Sequence, residues 1–150
     1  MIEIVADKDI PYLKEVFENS KTFRLKTLPF DEINKKTLKN SQALLSRSAT
    51  ILNDELINGT DIKFIFSLTS GEDHIDHDFL SSREIFIKTA KGANAQAVLE
   101  YTLDALSFSS EKKVGLIGEG HIGSKLKKVL SFFCLLYTSD ADDDTPCVDL

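Results

Sequence analysis

The chain has 150 residues, 42% hydrophobic and 28% charged, an ordinary globular balance able to bury a core. Its formal net charge of −6 is unevenly placed: five acidic residues (Asp140, Asp142, Asp143, Asp144 and Asp149) and no Lys or Arg fall in 134–150. The body is therefore close to neutral, and no basic patch argues for a nucleic-acid partner.

The longest apolar run, VLSFFCLLY at 129–137, is far shorter than the roughly 20 residues of a membrane-spanning helix. No basic-then-apolar leader opens the chain. Cys134 and Cys147 lack the spacing of a zinc or disulfide pair. The expectation is a cytoplasmic protein with no membrane contact and no metal.

In chain order, IEIVA (2–6) is strand-like, and Pro11 suits the first turn of a helix carrying Leu13 and Phe17. FRLKTL (23–28) alternates as a strand and is followed by a polar helix from Asp31. ALLSRS (43–48) is a strand, and ILNDELING (51–59) is a short helix closed by Gly59. KFIFSLT (63–69) reads as the most buried strand, with DHIDHDFLSS (73–82) as its helix. IFIKTA (85–90) is the next strand, Asn94 can cap the helix AQAVLEYTLDALSF (95–108), and KKVGLIG (112–118) restarts the alternation. Strands separated by helical segments predict an α/β fold with a parallel, flavodoxin-like sheet. The polar break SFSSEKK (107–113) separates a first domain at 1–106 from a second beginning at 107–133.

That second segment reads VGLIGEGHIG, and Gly118, Gly120 and Gly123 match G-x-G-x-x-G. The first glycine permits the turn out of the strand, the second admits a pyrophosphate, and the third lets helix and strand pack closely. The following helix N-terminus attracts the phosphate charge. An apolar strand before the loop (Val114, Leu116, Ile117) and an amphipathic helix after it (Ile122, Leu126, Val129, Leu130) supply the required context. Lys125, Lys127 and Lys128 read as a solvated helix face, and His121 is assigned no chemistry of its own. DHIDHD (73–78) has metal-ligating residue types, but it sits at a helix start, where Asp73 can cap and Asp76 favours the helix dipole.

VADKDIPYLKEVF at the start, LLSRSAT at 44–50, SLTSGEDHID at 67–76 and KGANAQAVLEYTL at 91–103 precede the glycine loop in order. Together they resemble the D-isomer-specific 2-hydroxyacid dehydrogenases over residues 1–133. The resemblance implies a substrate domain followed by a Rossmann NAD-binding domain, homodimeric in the complete protein, acting on a small phosphorylated 2-hydroxy acid with NAD. By position it makes Ser48 and Thr69 substrate contacts, and Gly118, Gly120, His121, Ile122 and Gly123 the cofactor loop. Arg47 then offers a planar fork to phosphate or carboxylate. The Thr69-Ser70-Gly71 turn, with Gly71 at its end, offers backbone N–H groups as an anion nest. The plainer reading of Arg47 is a surface ion pair. From the residues alone, a non-catalytic module that binds a phosphorylated acid stands as the alternative to an enzyme.

Two departures from the family pattern stand out. Lys91 and Ala93 replace its usual Pro and Cys before Asn94, and the link from Glu100 to Val114 is shorter. The arginine, histidine and glutamate of the family's chemistry follow the glycine loop at a distance, so none of the three is expected in this chain. Residues 134–150, CLLYTSDADDDTPCVDL, resemble the translation of a transposase adapter used in sequencing libraries. They are expected to be foreign, with the native sequence ending at Phe133 and the truncated Rossmann segment with it. Asp140, 22 residues after Gly118, would otherwise take the ribose-binding position.

Overall fold

The computed structural model describes residues 1–107, 114–132 and 136–137. The chain divides into two compact units, Met1–Lys91 and Gly92–Leu150.

The first unit contains five strands: β1 (Ile2–Asp7), β2 (Phe23–Leu28), β3 (Ala43–Ser46), β4 (Phe64–Ser67) and β5 (Phe86–Thr89). All pairings are parallel, in the order β2-β1-β3-β4-β5. This is the flavodoxin-like order, whose direction of winding reverses between β1 and β3. Four helices connect the strands: α1 (Leu13–Phe17), α2 (Lys35–Leu38), α3 (Asp54–Ile57) and α4 (His77–Ser82).

Alternation sorts the strand side chains onto two faces. Val5, Leu44 and Ile65 point into the main core with Leu38 of α2, Ile57 of α3 and Leu80 of α4. Ala6 and Leu45 point the other way, against Leu13 and Phe17 of α1.

The helices are short, and side-chain caps define several of their starts. Asn34 accepts from the amides of Lys36 and Thr37, while the Thr37 hydroxyl accepts from the Asn34 amide, a reciprocal capping box. The helix expected from Asp31 is therefore a 3-10 turn, Phe30–Glu32, followed by α2. Asn53 caps α3 more simply, its side chain accepting from the Leu56 amide.

One assignment changes. The cap of α4 is Asp76, which accepts from the Phe79 amide, and Asp73 lies before the helix. Ile75 forms a parallel bridge with Leu52, and the amide of Asp76 donates to the Leu52 carbonyl. That extended tie keeps residues before Asp76 out of helical geometry.

The second unit contains α5 (Ala95–Ser107), β6 (Val114–Gly115), α6 (Gly123–Phe132) and β7 (Leu136–Tyr137). Helix α5 packs Leu99 against Leu126 and Leu130 of α6. Helix α5 thus belongs to the second compact unit. Strands β6 and β7 pair in parallel, Val114 with Leu136 and Gly115 with Tyr137. Strand β7 lies within the segment read as foreign; Asp140 and the rest of 138–150 lie outside the described residues. Among the described residues no helix is long and apolar enough to cross a membrane.

Candidate functional site

Four strands of the first unit end on a polar residue: IEIVAD, ALLS, FIFS and FIKT. Register places Ser46 beside Ser67 and Ser67 beside Thr89, while Asp7 follows the Ala6–Leu45 pair. A polar row therefore closes the core face at the carboxyl ends of the strands. Open α/β sheets bind their ligands on this edge, where the winding reverses. Asp7, Ser46 and Ser67 are fully buried.

Each member of the row has its own arrangement. Asp7 Oδ2 accepts from Arg47 Nε at 2.8 Å, and Asp7 Oδ1 accepts from the Asp9 amide at 3.0 Å. Arg47 Nη2 donates to Asp9 Oδ2 at 2.9 Å. The hydrogen bond to Asp7 leads the effects that raise the Arg47 pKa above its ordinary value.

Ser67 Oγ lies 3.2 Å from Thr69 Oγ1 and 2.9 Å from His74 Nε2. Burial lowers the His74 pKa, partly opposed by the charge of Asp73. Thr89 Oγ1 donates to Glu72 Oε1 at 3.0 Å, and Lys91 Nζ reaches Glu72 Oε2 at 3.3 Å. These two bonds, Thr89 first, hold the Glu72 pKa below its ordinary value.

Ser46 Oγ and Thr50 Oγ1, on either side of Arg47 and Ser48, are buried and find no hydrogen-bond partner among the described residues.

Of the residues picked from sequence, Arg47, Ser48 and Thr69 come together at the adjoining ends of β3 and β4. Arg47 is there, but its fork is engaged: Nε and Nη2 hold carboxylates, leaving Nη1 uncommitted among the described residues. Ser48 is exposed and Thr69 half-buried. Gly71 is exposed, and a Cβ placed on it would lie 4.0 Å from the Asp73 carboxylate, which flanks the expected nest.

Asp7, Ser67, His74 and Glu72 were not picked. The signal for the row was a single polar residue closing each apolar strand. In DHIDHD, the residue types that suggested a metal have other work: His74 turns to Ser67, Asp76 caps α4, and His77 lies 3.9 Å from Glu72.

The second unit carries the glycine loop. Gly118 has φ 92°, a conformation that favours glycine. A Cβ on Gly123 would lie 1.9 Å from the Gly118 carbonyl oxygen, so the first turn of α6 packs directly on the loop backbone. A Cβ on Gly120 would meet nothing within 4 Å, leaving room at the helix N-terminus. The residues therefore suit a dinucleotide pyrophosphate. The His121 ring packs against Gly92, where a Cβ would come within 3.3 Å of it, and Ile122 is half-buried. Lys127 pairs with Glu119 at 2.6 Å, and Lys125 reaches Gln96 at 3.5 Å.

A doubly wound sheet with polar side chains at its switch point, followed by a strand–glycine turn–helix, defines an α/β protein with a dinucleotide-type glycine loop. A model of the D-isomer specific 2-hydroxyacid dehydrogenase catalytic domain matches residues 1–144, and the chain belongs to that family.

Among its relatives, "Erythronate-4-phosphate dehydrogenase" of Hahella chejuensis is 39% identical over 142 residues, 89% of this chain and 37% of that protein. The protein of the same name from Salmonella arizonae is 37% identical over 134 residues, 84% of this chain and 35% of its own. The chain thus spans little more than a third of the length of these relatives. The fold matches that of NAD+-bound 3-phosphoglycerate dehydrogenase from Entamoeba histolytica, with a TM-score of 0.67 and 19% identity over 92% of this chain and 54% of that one.

Proposed function

We propose that residues 1–106, whose compact part Met1–Lys91 holds the polar row, bind the substrate of an NAD-dependent dehydrogenase, and that 107–133 begin its cofactor domain. The substrate in this reading is 4-phospho-D-erythronate, oxidised at C2 to 2-oxo-3-hydroxy-4-phosphobutanoate in pyridoxal 5′-phosphate (vitamin B6) biosynthesis. The observation that carries it is the row of polar residues, Asp7, Ser46, Ser67 and Thr89, that closes four parallel strands at the switch point. The names of the relatives support the particular acid.

Each residue has a role in this reading. Ser48 and Thr69 donate hydroxyl hydrogen bonds to the anionic acid, and Gly71 leaves the preceding backbone amides accessible. Arg47 adds charge through Nη1, while Asp7 fixes the plane of its guanidinium. Gly118, Gly120 and Gly123 hold the loop open at the α6 N-terminus, with His121 and Ile122 shaping it. NAD bound there would accept the hydride released from C2. The base for the hydroxyl proton and the cation for the carboxylate are assigned to sequence beyond these 150 residues. The chain alone is expected to bind the acid without turning it over, and the longer protein to be a cytoplasmic homodimer.

The test is turnover by the protein extended to the length of its relatives. NADH formed from 4-phospho-D-erythronate in preference to 3-phosphoglycerate supports the assignment. Preference for 3-phosphoglycerate moves it to another D-2-hydroxyacid dehydrogenase, and no NADH from either ends the dehydrogenase reading.

A further inference from the structure

The Thr69–Ser67–His74 chain deepens that reading and rests on it. Thr69 has one hydroxyl proton. If Thr69 donates it to Ser67, only lone pairs face a ligand, and an anion is repelled. If Ser67 donates to Thr69, the Thr69 proton is released for the anion. Ser67 also has one proton, so this second direction requires a donor behind it, and His74 Nε2 stands there at 2.9 Å. We propose that His74 is a positioning residue: its Nε2–H donates to Ser67 Oγ, Ser67 donates to Thr69 Oγ1, and Thr69 donates to the bound acid.

The surroundings favour a defined chain. Ser67 is fully buried at the end of β4, so water does not compete for its hydroxyl. The Thr69 backbone is held as well, since the Ala90 amide donates to the carbonyls of Ser67 at 3.0 Å and Thr69 at 3.3 Å. His74 is fixed through its own carbonyl, which accepts from the Leu52 amide at 2.8 Å. Its lowered pKa keeps the ring neutral near pH 7, so the tautomer sets the direction of the chain. The positive charge that anion binding needs is left to other groups. His74 supplies order to a hydroxyl it does not touch.

The experiment is calorimetric titration of the 150-residue chain with 4-phospho-D-erythronate, with inorganic phosphate as the reference anion. Thr69→Val keeps the shape and removes the hydroxyl, and should weaken binding of the acid about ten- to a hundredfold, as for lost hydrogen bonds to charge. Ser67→Ala and His74→Phe should each weaken it by roughly tenfold. His74→Gln, which can place an amide N–H near Nε2, should restore affinity to within about threefold. On a Thr69→Val background, Ser67→Ala and His74→Phe should cost nothing further, a coupling that general loosening would not produce. Nitrogen NMR of the complex should show His74 protonated at Nε2.

Several results would overturn the relay. One is unchanged affinity in His74→Phe together with a loss in Thr69→Val, which leaves the functional reading standing. Additive losses on the Thr69→Val background, or an Nδ1–H tautomer in the complex, would do the same. If the wild-type chain fails to bind the acid, binds phosphate equally well, or is indifferent to Thr69→Val, the substrate-site reading falls, and the relay with it.

Discussion

At the residue scale, Arg47 is held between two carboxylates, Asp7 and Asp9, that differ in burial. The Asp7 contact is structural, since that carboxylate is wholly buried and Arg47 supplies its cationic partner. Removing either member would leave an unpaired charge or a buried acid, which is strongly destabilising. Asp9 is different: its side chain is half exposed, and it occupies the Nη2 donor that an anionic ligand would use. Asp9→Asn is therefore expected to tighten binding of 4-phospho-D-erythronate by up to about fivefold, the range for one weakly coupled exposed charge. Titration at low and high salt would check it, because the gain should shrink as screening rises.

His74 gives a second expectation at this scale. Its native pKa lies below the ordinary 6.5, so the unfolded chain takes up the proton first. Stability should fall as pH drops below about 6.5 and level off once the native ring is also charged. Urea unfolding of wild type and His74→Gln between about pH 7 and pH 5 isolates the effect, as Gln cannot titrate. Parallel curves would remove it.

At the element scale, the end of α4 carries a conflict between residue and conformation. The Glu84 amide donates to Ser81, and the Ile85 amide donates to Leu80, the two bonds of a Schellman ending. Glu84 sits at its left-handed position with φ 55°, where glycine is preferred. Glu84→Gly is expected to raise stability by about 1 kcal/mol, read as an upward shift of the urea midpoint at constant slope. In the second unit the requirement is reversed. Gly123→Ala should destabilise that unit by about 1–3 kcal/mol and abolish NAD binding in the extended protein, because its Cβ overlaps the Gly118 carbonyl. Unchanged hydrogen-exchange protection in α6 would count against this.

Across the first unit, the sheet is covered unevenly. The core face lies beneath α2, α3 and α4, whereas the other meets only α1 among the helices of this unit. A groove of about 510 Å³ remains on that face, lined by Ile2, Ile4, Phe17, Phe23, Phe64 and Phe66 among others. Phe64 and Phe86 are 43% and 53% exposed. Parallel sheets are ordinarily buried on both faces, and an apolar patch of this kind binds hydrophobic dyes. The chain should therefore enhance the fluorescence of anilinonaphthalene sulfonate under native conditions. Phe64→Ser with Phe86→Ser should remove most of that signal without changing far-UV circular dichroism. Retention of the signal would place the dye elsewhere.

Much of the local structure was determined by the sequence itself. Strand alternation in IEIVAD and FIFSL, the asparagines before α2 and α3, and the three loop glycines act over a few residues, through periodicity, capping and backbone freedom. The cap of α4 escaped because a long-range bridge between Leu52 and Ile75 overrode the local preference for Asp73. Ser48 and Thr69 were legible as candidate substrate contacts through resemblance alone, whereas the polar strand ends Asp7 and Ser67 stood out only once the register was known. What only the tertiary structure decided was pairing. Asp7 and Arg47 lie 40 residues apart in sequence yet share a hydrogen bond. Ser67 meets His74 only because the turn after β4 folds back over the sheet edge. Parallel register brings distant strand ends side by side, and burial then gives each polar side chain few partners to choose from.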